Sequence, residues 1–266
     1  MSSSLSGQRG KRMALAICLP LAFLLLWEVL GQFNLLIDGL IPTPSAVMRA
    51  WWVWIAGPGG LSLNPYSGTW AANLWFSLER VGQGYLLAIV LGVLIGWSRL
   101  AAQMVDPSIQ WLRPIPITAW LPFSIALFGI KDFGAIFLIT LGAFYPIVVN
   151  TTQGARDVDK NLVRAARMMG AGGGALLRRV ILPAALPSVF TGLRIGLGIA
   201  WTAVIVAEMV AVKSGLGYVL WDAYYVGRMD VVIADMVSIG LMGYLSDRLI
   251  VLIENRALTW RRLQSY

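Results

Sequence analysis

Histidine is absent from the 266 residues of this chain, and cysteine occurs once, as Cys18. These absences remove imidazole metal sites, histidine-based triads, histidine proton relays and any disulfide within the chain. Charge is scarce too: 13% of residues are Asp, Glu, Lys or Arg, against roughly 25% in an average soluble domain. No G-x-x-x-x-G-K-[ST] phosphate loop occurs, so this chain has no motif of its own to cradle a nucleoside triphosphate. No paired-carboxylate, metal-ligand or nucleophile constellation stands out. The expectation is a non-enzyme, with no catalytic residues, no metal and no cofactor held by this chain.

What is present is hydrophobicity. Apolar residues make up 58% of the chain and the mean hydropathy is +0.72. Long apolar runs predict an all-α, polytopic membrane protein with about six spans. They are 13–31, about 73–97, 114–130, 133–150, about 187–212 and 231–253. Pro114, Pro116 and Pro122 break the third, as a kinked gate or a fixed bend. The basic Arg9, Lys11 and Arg12 before the first run resemble a signal peptide. The run is long for one and no small-x-small cleavage site follows, so it reads as an anchor. Cys18 lies in this run and reads as a packing residue. The expected organisation is a tail (1–12), the first span (13–31), a loop (32–72), a five-helix core (73–255) with a polar loop at 151–186, and a tail (256–266). A short helix is expected around Ala46–Ile55, with Trp51, Trp52 and Trp54 at the membrane surface.

The net charge of +8 would suggest nucleic acid in a soluble protein. Here the basic residues flank apolar runs, where they set orientation instead. With the N-terminus in the cytoplasm, Arg49, Lys131, Lys213 and Arg228 fall outside. Arg80, Arg194 and Arg248 fall within spans or at their edges. Every other lysine and arginine falls in the cytoplasm. Both termini and the 151–186 loop are therefore expected there.

That loop carries the stretch RAARMMGAGGGALLRRVILPAALP, Arg164–Pro187. Asp159 is a candidate N-cap for a helix over Lys160–Met169. Gly170 suits the left-handed residue that ends a helix. A second short helix is expected over Ala175–Leu182, with Pro183 and Pro187 marking its end. Ala165 and Ala166 form a smooth patch that another surface can approach. Without further information, a solvated loop whose arginines meet anionic lipid headgroups explains the composition equally well.

The order of residues resembles the EAA loop of ABC-transporter permeases. Ala165-Ala166, Gly170, Val180 and Leu182-Pro183 reproduce its spacing. Arg164 stands where that family usually has Glu, and Val180 where it often has Ile. The ion pair assigned to that Glu does not carry over. IPTPSAV (41–47), SLERVGQGYLLAIVLGVLIG (77–96), DPSIQWLRPIPITAWLPFSIALFGI (106–130), LGAFYPIVVNTTQGARDVD (141–159) and SGLGYVL (214–220) look like the nitrate/sulfonate/taurine branch of binding-protein-dependent permeases. The resemblance implies the type I importer fold, a homodimer in a bacterial inner membrane, and a periplasmic substrate-binding protein. It also implies a cytoplasmic ABC ATPase dimer that holds ATP and Mg and docks on Arg164, Ala165, Ala166, Gly170, Val180, Leu182 and Pro183. Transport would follow alternating access.

Charges inside spans mark function or pairing. Glu28 reads as a lipid-edge or interhelix contact, Arg80 as a neighbour-paired charge beside Glu79, and Asp247–Arg248 as an interfacial anchor or dimer contact. Arg194 and Glu208 lie within about 40° of one another on a helix but about 21 Å apart along it, too far to pair. Ser188, Thr191, Arg194 and Thr202 make a stripe that either packs closely with hydroxyls bonded to backbone or lines an anion path. Ser214–Tyr218 reads as a binding-protein platform or a simple re-entrant turn. A stand-alone gradient-driven transporter or channel is the competing class, though it normally shows inverted repeats and embedded carboxylates. A membrane enzyme is a third class, for which no clustered catalytic groups are visible.

Overall fold

A computed structural model describes residues 3–33, 40–58 and 64–259, with side chains from Cys18 onward except that of Arg99. The helices are α1 (Ser3–Gln32), α2 (Pro44–Ala56), α3 (Trp70–Trp97), α4 (Arg99–Leu112), α5 (Leu121–Phe128), α6 (Asp132–Arg156), α7 (Lys160–Met168), α8 (Gly173–Leu176), α9 (Leu182–Ala211), α10 (Leu216–Tyr225) and α11 (Met229–Ala257). By length and composition, Trp70–Trp97, Asp132–Arg156, Gly173–Ala211 and Met229–Ala257 can cross a bilayer; Cys18–Gln32 and Ile117–Phe128 are shorter apolar helices. The chain divides into two compact units: residues 1–71 with 220–237, and residues 72–219 with 238–266.

In the first unit, Glu28 caps the start of α2. Its carboxylate accepts from the Ser45 N–H at 3.0 Å and from the Ser45 hydroxyl at 2.8 Å. Of the two roles expected of it, this is the interhelix one, set where the partial positive charge of a helix start favours an anion. The short helix predicted around Ala46–Ile55 is α2, capped by the Thr43 side chain. Trp54 is not at a surface: it is fully buried, and its indole N–H donates to Thr69 Oγ1 at 3.2 Å, whereas Trp52 is exposed. Cys18 is exposed on α1, so it does not pack within the chain. Arg228 pairs with Asp230 at 2.9 Å, and these hydrogen bonds hold the guanidinium pKa further above its ordinary value.

In the second unit α3, α6 and α9 pack closely. Gly84, Gly92 and Gly96 share a face of α3 with Ala88. A Cβ on these glycines would come within 2.7 Å of Ile139, Ile147 and Thr151 on α6. Small residues repeated along one face let backbones approach and gain dispersion contacts where lipid provides no hydrophobic drive. The tight core holds Ala135, Leu138 and Ala207, with Ile117, Trp120, Leu121 and Phe137 against it.

The 114–130 segment is broken at its prolines, as the sequence suggests: after Arg113 come Pro114–Pro116, a 3-10 turn at Ile117–Trp120 and the short α5, which stops at Gly129 with φ 71°. Prolines lack the N–H that a longer helix would need. One sequence expectation changes: the second loop helix and the fifth span merge. From Gly173 to Ala211 the chain is helical throughout, passing from α8 through a π-helical turn at Leu177–Ile181 into α9. The Leu182 N–H reaches back to the Leu177 carbonyl. That wider turn precedes Pro183, which sits in the first turn of α9, where its missing N–H costs little. Pro187 is inside α9 and ends nothing.

Candidate functional site

The Arg164–Pro187 region begins as the sequence predicts. Asp159 caps α7 by accepting from the Asn161 N–H at 2.8 Å. At the other end, Gly170 has φ 81°, the Gly170 N–H donates to the Arg167 carbonyl at 3.0 Å, and the Ala171 N–H donates to the Ala166 carbonyl at 3.0 Å. This nested pair is a Schellman cap, and its left-handed residue carries a steric penalty for any side chain. The two alanines differ. Ala166 is buried against the chain itself; Ala165 is exposed. Beside Ala165 the outward surface carries Leu162, Met168 and Met169, the methionines 88% and 82% exposed. Arg164 lines a cavity of about 560 Å³ together with Arg156, Lys160 and Arg167. None of these four cations has a carboxylate partner among the described residues. Val180 lies in the π turn, and Leu182 and Pro183 begin α9.

At the opposite end of α6, an ionic cluster is buried. Arg80 is 6% exposed and Glu208 fully buried, with 2.7 Å between Nη1 and Oε1. Arg80 also pairs with Asp132, whose side chain is 64% exposed, at 2.7 Å. It donates to the Ser214 carbonyl at 2.9 Å and to the Ser214 hydroxyl at 2.7 Å. Glu208 Oε2 accepts from Ser77 at 2.8 Å and from the Gly217 N–H at 3.0 Å, and Ser77 in turn accepts from the Leu216 N–H. Gly215 has φ 106°, and a Cβ there would overlap the Glu208 carboxylate. The Ser214–Tyr218 segment is thus tied to α3 and α9 through one buried charge pair. Arg80 does not pair with Glu79, which instead accepts from Gln83 at 3.1 Å. Adjacent residues do not face each other on a helix, so the sequence held the reason to look elsewhere.

The α9 stripe divides. Ser188 packs against α6 at Gly154. Thr191 and Thr202 are exposed, their hydroxyls donating to the carbonyls of Pro187 and Gly198 at 3.1 and 3.2 Å. Arg194 is held by Asp247 through two hydrogen bonds of 2.8 and 3.0 Å. Its charge is already matched by the acid read above as an anchor.

Residues 84–259 match the family described as "Binding-protein-dependent transport system inner membrane component". The chain belongs to this family. An ABC transporter permease of Methanocaldococcus jannaschii is 40% identical over 265 residues, covering 95% of this chain and 94% of its own. The aliphatic sulfonates transport permease SsuC of Bacillus subtilis is 34% identical, over 92% of this chain and 87% of its own. The nitrate import permease NrtB of Leptolyngbya laminosa is 36% identical, over 96% and 92%. A solved inward-facing structure of the MetNI methionine ABC transporter superposes with a TM-score of 0.58 at 22% identity, covering 70% of this chain and 95% of that one. At that identity it bears on the fold alone, and the fold is that of an ABC importer permease.

A permease of this family is a multi-pass inner-membrane subunit and not itself an enzyme. It works with a separate ATPase and with a binding protein. Sequence reasoning missed the Arg80–Glu208 pair and the whole of α4. The signal for α4 was present: Ser98 caps it, accepting from the Ala101 N–H at 3.2 Å.

Proposed function

We propose that this permease imports a small anion of the nitrate, alkanesulfonate or taurine class by alternating access. It works as a homodimer, with ATP and Mg bound in the cytoplasmic ATPase pair. The observation that carries the coupling half of this reading is the outward face of α7. Leu162, Ala165, Met168 and Met169 are exposed there beside unpaired Arg164 and Arg167. An isolated soluble loop gains nothing from exposing two methionines, whereas a helix that lies in a partner's groove does. The Schellman cap at Gly170 holds α7 against the helix that continues into α9, so a push on α7 reaches a membrane-crossing element. Val180, Leu182 and Pro183 form that connection. The relatives named for nitrate and for aliphatic sulfonates support the anion class.

The orientation follows from the basic flanks: both termini and α7 in the cytoplasm, residues 32–72 on the periplasmic side.

The experiment is a pull-down from native membranes of tagged wild type and Gly170→Arg. Wild type that retains an ATPase, and a folded variant that loses it, is the expected result. Two well-folded preparations that both lack an ATPase would overturn the docking role. A single cysteine in place of Arg167, in a Cys18→Ser background, should label only from the cytoplasm; labelling from outside would invert the topology.

A further inference from the structure

We propose that a cavity beneath the broken 114–130 segment binds a small organic anion, Arg113 meeting its charged head and Ile117, Ile195 and Ile199 its aliphatic tail. The proposal rests on the reading of this chain as an anion permease and narrows the cargo class.

The cavity has a volume of about 340 Å³ and lies between the Arg113–Ile117 turn, the middle of α6 and the middle of α9. That is within the range of about 300–1,000 Å³ usual for small-molecule sites. Its cause is local: the third segment gives up a continuous helix at Pro114–Pro116, and the 3-10 turn with short α5 leaves space beside α6 and α9 unfilled.

The lining contains one cation, Arg113, and no acid. Arg80, Arg194 and Arg228 each have a carboxylate partner. Arg113 is exposed and has none among the described residues, so the one cation that lines this cavity is not matched within the chain. Two polar residues, Tyr145 and Asn150, stand in the wall. The Tyr145 hydroxyl itself is buried, with no hydrogen-bond partner among the described residues. The Asn150 amide uses one N–H on the Pro146 carbonyl at 2.8 Å and keeps the second. The other walls are isoleucine, valine and proline. Gly142 tightens the apolar end, since a Cβ there would come 2.9 Å from Ile199 and 3.5 Å from Ile117.

This combination favours an amphiphilic ion. A bare oxyanion such as nitrate would press desolvated oxygens against isoleucine, which is unfavourable. A sulfonate with a short alkyl chain sets its head on Arg113 and buries its methylenes. Arg194, the cation singled out in the sequence, already has Asp247; Arg113 is the one left free to receive a ligand in this cavity.

The test uses the permease purified with its ATPase and binding protein. Calorimetric binding to the permease–ATPase complex is compared for methane-, ethane- and butane-1-sulfonate and for nitrate. Affinity should rise about fourfold for each methylene until the cavity is full, with nitrate weakest. Arg113→Gln should weaken butanesulfonate about 10- to 100-fold, the factor a charge-assisted hydrogen bond carries, and Arg113→Lys should recover part of it. Ile199→Ala should flatten the chain-length dependence and leave nitrate unchanged, which keeps the test open if the arginine variant fails to fold. Nitrate binding as well as butanesulfonate, or equal binding by wild type and Arg113→Gln, overturns the site.

Uptake into proteoliposomes separates the two levels. ATP-driven uptake unchanged in Arg113→Gln overturns this site and leaves anion import standing. No ATP-driven uptake of any of these anions by wild type overturns anion import, and the site with it.

Discussion

The two ends of α6 treat charge and glycine in opposite ways. At the Asp132 end, Arg80 and Glu208 are buried, paired and surrounded by Ser77, Ser214 and backbone N–H groups. At the Arg156 end, Arg156, Lys160, Arg164 and Arg167 surround a cavity with no carboxylate among them. Each end has a glycine at positive φ. Gly215 has φ 106° with Glu208 where its side chain would be, and Gly170 has φ 81° with open space around it. The difference separates two jobs. A charge matched inside the chain holds elements of one subunit together, because burying it unpaired would be very costly. A charge left unmatched beside exposed methionines is available to something outside the chain.

The largest expected effect falls on the matched end. Arg80→Ala leaves Glu208 buried without its cation, and about 3–5 kcal/mol of stability should be lost. Thermal unfolding of the purified subunit reads this; a melting curve like that of wild type would make the cluster ornamental. Next come the two glycines. Gly215→Ala combines left-handed strain with overlap on Glu208 and should cost about 2–4 kcal/mol, beyond the conformational penalty alone. Gly170→Ala meets only the conformational penalty, about 1–2 kcal/mol. If the two variants melt together, the contrast between crowded and open glycine fails. Arg164→Glu should change stability by less than about 0.5 kcal/mol while weakening ATPase retention, since it reverses an unmatched surface charge. Unaltered retention would show that Arg164 is not at the interface. The smallest effect on transport is expected for Arg194→Gln, since Asp247 already matches the charge of Arg194, and uptake should be preserved. Abolished uptake would put Arg194 back in the path.

Much of the loop was legible because its rules are local. An Asp before a helix, and a glycine after it, report backbone geometry that neighbouring residues determine. The Asp159 cap and Gly170 turn follow directly. Pro183 and Pro187 misled the sequence reading, because a proline stops a helix only when no wider turn or first-turn position absorbs it. The π turn at Leu177–Ile181 does so, and nothing in the local pattern announces it. Ala165 and Ala166 look equivalent in sequence, yet only packing of α7 on the following helix decides that Ala166 is covered and Ala165 free.

Composition and hydropathy by themselves determined an all-α membrane protein, and the resemblance of the Ala165–Pro183 spacing to the EAA loop of ABC permeases implied a subunit that leaves ATP hydrolysis to another chain. Those features depend on how many apolar residues follow one another and on short-range capping, both of which are written in order along the chain. The partners of the buried charges were decided only by tertiary structure. Arg80 meets Glu208 across 128 positions of sequence and Arg194 meets Asp247 across 53. Likewise, Arg113 comes to face a cavity only because a proline-broken segment folds beside α6 and α9. Such contacts depend on which helix faces pack, and a linear sequence without that packing does not specify which of several charges will meet.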